Sequence, residues 1–236
     1  MKLPYSGYLR KPESSMLLCY ITSRQQFSGG PDDQTRQLLA KIEECIAAGI
    51  DYIQLREKDL SARTLEKLAN AAVRLFPADA PTKLLISSRI DVALACGAHG
   101  VHLPANDLSA SEARAVLAQG GCVHPVIGAS IHSVEELSYT EAHGADFALF
   151  APVFQKDGLA IDDGLKKLEE ACRRPNRDMP VLALGGITLE NAGQCIEAGA
   201  DGIAAIRLFQ ENEVAKMAAQ LRQLKFPESR RRSHNL

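Results

Sequence analysis

The chain has 236 residues, of which 46% are hydrophobic and 24% charged, with a formal net charge of −2. This composition is typical of a globular protein with one sizeable core, and it excludes the strongly basic surface of a dedicated nucleic-acid-binding protein. We expect neither a membrane span, which needs roughly 20 apolar residues, nor a signal peptide in residues 1–11. The six cysteines lie far apart without CxxC spacing, so we expect reduced thiols in a cytoplasmic protein rather than a zinc site or disulfides.

Eight short apolar runs along the chain predict β-strands. Most are nearly continuous runs of Val, Ile, Leu, Ala and aromatic residues, which is typical of strands buried on both faces of a parallel sheet. The predicted strands are Leu17–Thr22, Tyr52–Arg56, Leu84–Ser87, Gly100–Leu103, Val126–Ser130, Phe147–Val153, Val181–Leu184 and Gly202–Ile206.

Segments with the apolar spacing of helices lie between these runs. Ser109, Thr188 and Ser133 are N-cap candidates, and Ser133 with Glu136 three residues later has the pattern of a capping box. The predicted helices are Asp33–Ala48, Ala62–Phe76, Ala110–Ala118, Ser133–His143, Gly164–Arg173, Leu189–Ala198 and Glu213–Leu224.

A weak internal repeat marks every second strand–helix unit. Gly49, Gly97, Gly144 and Gly199 recur at intervals of about 50 residues, each two residues before an Asp or His. Each glycine suits the left-handed position that ends a helix, and a predicted strand follows within a few residues.

Strict alternation of eight strands with about eight helices fits a (β/α)8 barrel or a doubly wound open sheet. No GxGxxG motif follows the first strand, so we predict a single α/β domain with the (β/α)8 TIM-barrel fold over residues 16–226. Residues 1–15 are expected to form an N-terminal arm. Residues 227–236, with Arg230, Arg231 and Arg232, are expected to form a flexible basic tail without a nucleic-acid role.

The end of the second predicted strand carries cations on one face. Gln54, Arg56 and Lys58 share a side of the strand by its period of two, so they are expected at the carboxyl-terminal mouth of the barrel. Arg and Lys there indicate an anionic ligand. The alternative is an internal salt-bridge layer, with Glu57 turned outward to a helix.

Two glycine-containing segments predict further phosphate contacts. Gly128–Ser130 runs into a helix N-terminus, where backbone N–H groups favour negative charge, although a plain tight turn gives the same pattern. Gly185, Gly186 and Arg207 follow strands seven and eight, the usual phosphate-binding loops of such barrels, although the glycines could serve packing alone.

Asp107 follows the fourth strand. A lone Asp before Ser109 is usually a turn or capping residue. The alternative role is a magnesium ligand, because Mg²⁺ takes one or two carboxylates together with substrate phosphates.

The set of motifs resembles the thiamine-phosphate synthase and TenI-like family of (β/α)8 barrels from about Leu17 to Phe209. No single motif would be specific, but the combination is. The matching segments are Gln54–Lys58 (QLREK), Arg89–Ala95, Gly100–Leu103 (GVHL), Gly128–Ser133, Pro152–Phe154 and Leu184–Ile187 (LGGI).

The resemblance implies a transferase of thiamine biosynthesis that takes small phosphorylated substrates. An aminopyrimidine methyl diphosphate would lose diphosphate, and the ring nitrogen of a thiazole phosphate would take up its methylene, with Mg²⁺ as cofactor. The family's pattern assigns catalysis to Arg56, Lys58 and Ser130; the diphosphate to Gln54, Arg56, Lys58, Ser130 and Lys156; the thiazole phosphate to Gly186, Ile206 and Arg207; and the metal to Asp107 and Ser88. A homodimer is the candidate assembly.

Three segments depart from the family's pattern. Ser87–Ser88 stands where the synthases carry Asn-Asp, so one carboxylate for the metal is missing. Gln155–Gly158 replaces a Thr-rich loop, leaving Lys156 as its cation, and Pro104–Ala105 replaces Gly-Gln.

Because of these departures, two alternatives to synthase activity remain open. The TenI-like alternative is isomerisation of the thiazole phosphate, but its histidine before the Phe of strand six is absent, since Ala151–Pro152 precedes Val153 and Phe154. The other is a barrel that binds a phosphorylated metabolite without catalysis. Synthase activity is the leading expectation.

Overall fold

The computed structural model describes residues 16–155, 163–174 and 177–227. Its eight strands form one closed parallel barrel in chain order, in which the last strand pairs with the first. The predicted (β/α)8 fold is therefore confirmed. The predicted N-terminal arm, and all of the predicted tail except Pro227, lie outside the described residues.

All eight predicted strands are present. They are β1 Leu17–Ile21, β2 Tyr52–Leu55, β3 Lys83–Ser87, β4 Gly100–Leu103, β5 Val126–Ile131, β6 Phe147–Phe150, β7 Val181–Ala183 and β8 Gly202–Ala205. The largest difference is that β6 ends three residues before the predicted Val153. Pro152 has no N–H to donate, and the N–H of Val153 instead donates to the carbonyl of Leu184 at 3.0 Å.

The helices lie outside the barrel, and each predicted helix is present. They are α1 Pro31–Ala47, α2 Ala62–Val73, α3 Ile90–Cys96, α4 Ala110–Gln119, α5 Val134–Ala142, α6 Gly164–Cys172, α7 Ala192–Glu197, α8 Arg207–Gln210 and α9 Val214–Arg222. The predicted set lacked α3 and α8, which are too short to show a helical period. Within the described part of the chain, no helix is long and apolar enough to cross a membrane.

Two of the predicted N-caps are confirmed, with one difference in geometry. Ser109 and Glu112 form a complete capping box at the start of α4. At α5, the Ser133 hydroxyl accepts the N–H of Glu136 at 3.2 Å, but the Glu136 carboxylate accepts the N–H of His132 at 2.7 Å. The reciprocal bond of the capping box thus goes one residue further back.

The four repeated glycines behave as predicted. Gly49, Gly97, Gly144 and Gly199 have φ values of 67°, 70°, 75° and 103°, and each follows the last turn of a helix. Their left-handed conformation carries no Cβ penalty in glycine, so the chain can turn directly into the next strand.

The Asp or His two residues after each repeated glycine forms a pair of hydrogen bonds at the amino end of the barrel. We call this pair of bonds a clamp. Each clamp residue donates its N–H to a carbonyl of the preceding strand, and its side chain accepts the N–H of the same strand residue, all at 2.7 to 3.1 Å. The pairs are Asp51 with Leu18, His99 with Leu84, Asp146 with Ile127 and Asp201 with Val181. The clamps satisfy backbone groups at the start of β1, β3, β5 and β7.

The barrel interior is filled by inward side chains of alternate strand residues. Tyr52 and Phe147 stack across it with their ring centroids 4.2 Å apart. Gly128 makes room for them, because a Cβ there would lie 2.5 Å from the Phe147 ring. This apolar packing closes the barrel centre and leaves the polar residues at the mouth.

Candidate active site

Gln54 lies inside the barrel, one layer below the mouth. Its side chain is 3% exposed; the amide nitrogen donates to the Ser87 hydroxyl at 3.1 Å and lies 3.1 Å from Nδ1 of His102. Among the described residues, Oε1 of Gln54 and Nε2 of His102 have no hydrogen-bond partner. Two buried polar atoms therefore remain able to contact a ligand.

Arg56 directly follows the last residue of β2, two residues after Gln54, and is half-buried. Burial, together with the positive charge of Arg56, lowers the pKa of His102 to about 3. His102 is therefore neutral, and the guanidinium of Arg56 acts on the same interior.

Among the described residues, Arg56 and Lys58 take part in no internal salt-bridge layer. Arg56 is half-buried and Lys58 exposed, and neither forms an ion pair with any residue that the structure describes. Glu57 is turned away from the mouth, but toward the segment after β1 rather than toward a helix packed on the barrel: its carboxylate accepts the Thr22 hydroxyl at 2.6 Å.

Ser130 lies near the end of β5 and is half-buried. It lines a shallow groove together with Ala105 of the β4–α4 loop and Glu136, Tyr139 and Thr140 of α5. Ser130 thus lies near the carboxyl end of β5, and its contact with a ligand stays a prediction.

The predicted metal ligands differ in their surroundings. Asp107 is exposed, and one carboxylate oxygen accepts the N–H of Leu108 at 2.9 Å, as the turn alternative predicted. Ser88 has a left-handed φ of 61°, and its N–H donates to the carbonyl of His102 at 2.9 Å. Across residues 16–155, 163–174 and 177–227, no group of three or more His, Cys, Asp or Glu could hold a metal ion. Lys156 lies outside the described residues.

The loop after β7 has a conformation that only glycine fits. Gly186 has a φ of 58°, and a Cβ there would lie 1.8 Å from the carbonyl oxygen of Gln155. Asn191 holds the loop, because its side chain donates to the carbonyl of Gly186 at 3.0 Å and accepts the N–H of Thr188 at 2.8 Å. Asn191, not the predicted Thr188, occupies the N-cap position of α7.

Ile206 and Arg207 connect β8 to the short helix α8. Arg207 is exposed and begins the helix, and the carbonyl of Ile206 accepts the N–H of Gln210 at 2.9 Å. The side chain of Gln210 is buried and accepts the Tyr20 hydroxyl at 2.8 Å. The neighbouring β7 and β8 segments thus end at the same mouth as Arg56.

Comparison with known proteins gives one consistent result. The family model described as thiamine monophosphate synthase matches residues 18–209. A thiamine-phosphate synthase of Methanoculleus marisnigri is 41% identical over 180 residues, covering 75% of this chain and 82% of the relative. The chain belongs to the thiamine-phosphate synthase family.

Two more relatives agree with the family assignment. A putative thiamine-phosphate synthase 2 of Aquifex aeolicus is 38% identical over 195 residues, covering 81% of this chain and 96% of the relative. The solved thiamine phosphate pyrophosphorylase of Pyrococcus furiosus superimposes with a TM-score of 0.71 at 28% identity, covering 90% of this chain and 96% of that one. The predicted resemblance is confirmed, and with it the enzyme class, a transferase of thiamine biosynthesis.

The thiamine-phosphate synthase fold brings together residues that sequence reasoning did not single out. Thr22 and Arg24 follow β1 and are buried against Glu57, and Gln210 is buried nearby. Thr22 and Arg24 could have been recognised only by their position, as polar residues directly after a strand that ends at the mouth. Gln210 had no such signal, because the short helix α8 was not predicted.

Proposed function

We propose that the chain is a thiamine-phosphate synthase that joins an aminopyrimidine methyl diphosphate to a thiazole phosphate and releases diphosphate. The observation that supports this most is the pair of cations at the end of β2. Arg56 and Lys58 stand at the barrel mouth without an ion-pair partner among the described residues, while the neighbouring Glu57 is turned away. Unpaired cations at a mouth favour a multiply charged anion.

In this proposal the β2 side of the mouth holds the diphosphate. Arg56 and Lys58 stabilise the negative charge that grows on the leaving diphosphate as the bond to the methylene breaks. Ser130 donates its hydroxyl to the same group, Gln54 contributes from the layer below, and Lys156 adds a third cation.

The β7 and β8 segments hold the thiazole phosphate. The open backbone at Gly186 lets N–H groups approach a phosphate oxygen, and Ile206 and Arg207 contribute a backbone N–H and a positive charge. Holding both substrates at one mouth orients the ring nitrogen toward the methylene, which is the main contribution expected from the protein.

The proposed cofactor is Mg²⁺, and the donor set fits an ion shared with the diphosphate. Asp107 supplies one exposed carboxylate and Ser88 a neutral hydroxyl. Mg²⁺ takes one or two carboxylates plus phosphate oxygens, so in this proposal the diphosphate supplies the remaining oxygens. When bound, the ion supplies positive charge that neutralises the leaving diphosphate.

We further propose that the protein works in the cytoplasm. All six cysteines are free thiols, and five of them are buried. Burial raises the pKa of the Cys195 thiol to about 12, so this thiol stays protonated and unreactive at neutral pH. Free thiols are typical of proteins in a reducing compartment.

Calorimetric titration with the thiazole phosphate and with the pyrimidine diphosphate, each with and without Mg²⁺, tests the proposal, together with chromatographic detection of thiamine phosphate. Synthase activity requires that both bind, that the diphosphate depends on Mg²⁺, and that product accumulates. Isomerisation of the thiazole phosphate without Mg²⁺ would favour the TenI-like alternative. Binding without turnover of either kind would favour a non-catalytic barrel.

A further inference from the structure

The residues directly after β1 form a buried polar segment that the proposed reaction does not use. This segment, Thr22–Arg24, crosses from the end of β2 to helix α8, with Thr22 fully buried and Arg24 8% exposed. Buried polar and charged groups are costly unless they are hydrogen-bonded, so a cluster of them at a barrel mouth calls for a physical reason.

Thr22 holds the end of β2 through its hydroxyl, which both accepts and donates a hydrogen bond, and through its backbone N–H. Its hydroxyl accepts the N–H of Arg56 at 3.0 Å and donates to Oε1 of Glu57 at 2.6 Å. Its own N–H donates to the carbonyl of Gln54 at 3.0 Å, which extends the pairing of the two strands by one residue. The backbone that carries Arg56 is therefore held on its β1 side.

Arg24 draws the acidic residues of the β2 end away from the mouth. Its backbone N–H donates to both carboxylate oxygens of Glu57 at 3.1 Å. Its guanidinium lies 3.8 Å from Glu57 and donates to Asp59 at 2.6 and 3.2 Å. The carboxylates of Glu57 and Asp59 are therefore both held by Arg24 on the β1 side, and their negative charge is paired there rather than with Arg56 or Lys58.

The other end of the segment is attached to α8. The carbonyl of Ser23 accepts the side-chain N–H of Gln210 at 2.9 Å, and the Gln210 oxygen accepts the hydroxyl of Tyr20 at 2.8 Å. Gln210 is the last residue of the helix that begins at Arg207. One buried network thus links the segments proposed to hold the two phosphate groups.

We propose that Glu57 is a positioning residue, which with Thr22 and Arg24 holds Arg56 and Lys58 in the orientation that binds the diphosphate. Glu57 balances the charge of Arg24 and keeps its own charge out of the mouth. This inference rests on the proposed function, because it takes the diphosphate as the anion of the β2 side.

The test measures the affinity of the purified full chain for inorganic diphosphate with Mg²⁺ by calorimetry, at a temperature where circular dichroism shows every variant folded. Glu57→Gln and Thr22→Val are expected to weaken binding about tenfold, as for the loss of one charge-assisted hydrogen bond. Thr22→Ser keeps the hydroxyl and should bind within about twofold of the unmodified chain.

Asp201→Asn is the matched control. Asp201 pairs with Arg177 at 2.7 Å with similarly low exposure and also accepts a strand N–H, but at the amino end of the barrel. It should lower the melting temperature without changing diphosphate affinity, because it lies at the opposite end from the site.

The outcomes separate this inference from the proposed function. Unchanged affinity in Glu57→Gln and Thr22→Val, with weakened affinity in Arg56→Ala, would overturn the positioning role alone. An equal loss in Asp201→Asn would also overturn it, since the effect would then follow stability. Absence of diphosphate binding by the unmodified chain would overturn both. If Glu57→Gln does not fold, the contrast between Thr22→Val and Thr22→Ser decides.

Discussion

The two sides of the barrel mouth differ in how far their polar side chains are buried and hydrogen-bonded. On the β1, β2 and β8 side, Thr22, Arg24, Glu57 and Gln210 are buried and joined by hydrogen bonds of 2.6 to 3.1 Å. On the β3 and β4 side, Asp107 is exposed, with its described side-chain hydrogen bond going to the next residue in the chain.

This difference indicates where the binding energy of the site originates. Groups held by buried networks keep one orientation and lose little entropy when a ligand binds, whereas exposed side chains must be ordered at that moment. We therefore expect the backbone that carries Arg56 to be ordered already in the free protein, and the metal to bind weakly until the diphosphate is present.

The largest effect is expected from Gly186→Ala, beside the well-ordered side of the mouth. The new Cβ would meet the Gln155 carbonyl and would have to adopt a left-handed φ, which should cost about 3 kcal/mol of unfolding free energy. Gly193→Ala is the control, because nothing lies within 4 Å of its Cβ position. Equal urea midpoints for the two variants would contradict the geometry given for this loop.

The next largest effect concerns the cations at the end of β2. Arg56→Ala and Lys58→Ala should each weaken diphosphate binding about tenfold or more, since a charge-assisted hydrogen bond is worth about 1.5–3 kcal/mol. Calorimetry with the pyrimidine diphosphate measures this directly. Lys67→Ala, at an exposed position of α2, is the control for net charge. Unchanged affinity in both site variants would remove the anion site.

A gain of function can be expected on the less ordered side. Asp tolerates the left-handed φ of Ser88 better than most residues, so Ser88→Asp should add a second carboxylate without moving the backbone. Affinity for Mg²⁺ in the absence of diphosphate should rise about tenfold, as ligand charge increases. Ser88→Asn has the same backbone tolerance without the charge and should show no gain; a similar gain in Asn would rule out the carboxylate as its cause.

The last expected effect is a pH dependence of stability that originates at His102. Its pKa is about 3 in the folded protein and about 6.5 in an unfolded chain, so the unfolded state binds the extra proton between these values. The stabilisation is present above pH 6.5 and is lost as pH falls toward 3, by up to about 1.4 kcal/mol per pH unit. Urea unfolding at pH 6.5, 5.5 and 4.5 should give a shallower pH dependence for His102→Gln; an identical slope would disprove a neutral buried His102.

The fold was predictable because its signals are local. The strands are continuous apolar runs, and the repeated glycines end helices with their own backbone conformation, so both could be recognised within a few residues. The errors were local too: the short helix α3 shows too few turns for a period, and Asn191 competed with Thr188 for the same cap.

The site was predictable only in part. The period of two predicted Arg56 and Lys58 on one face, which stays a prediction because β2 ends at Leu55, and it could not show that Gln54 binds Ser87 and His102. The partners of Glu57 and Gln210 are 35 and 190 residues away in the chain. Pairing of β1 with β2 brings Thr22 to Glu57, and closure of the barrel between β1 and β8 brings Tyr20 to Gln210. No pattern within one segment contains that information.

The four amino-end clamps have a consequence for how the barrel can be assembled. Each clamp joins two consecutive strands, β1 with β2, β3 with β4, β5 with β6 and β7 with β8, and each is complete within its own pair. A break in the loop between α4 and β5 severs none of them. The barrel is thus organised as four successive two-strand units. Two half-chains made separately would each contain complete clamps when they reassemble into a barrel.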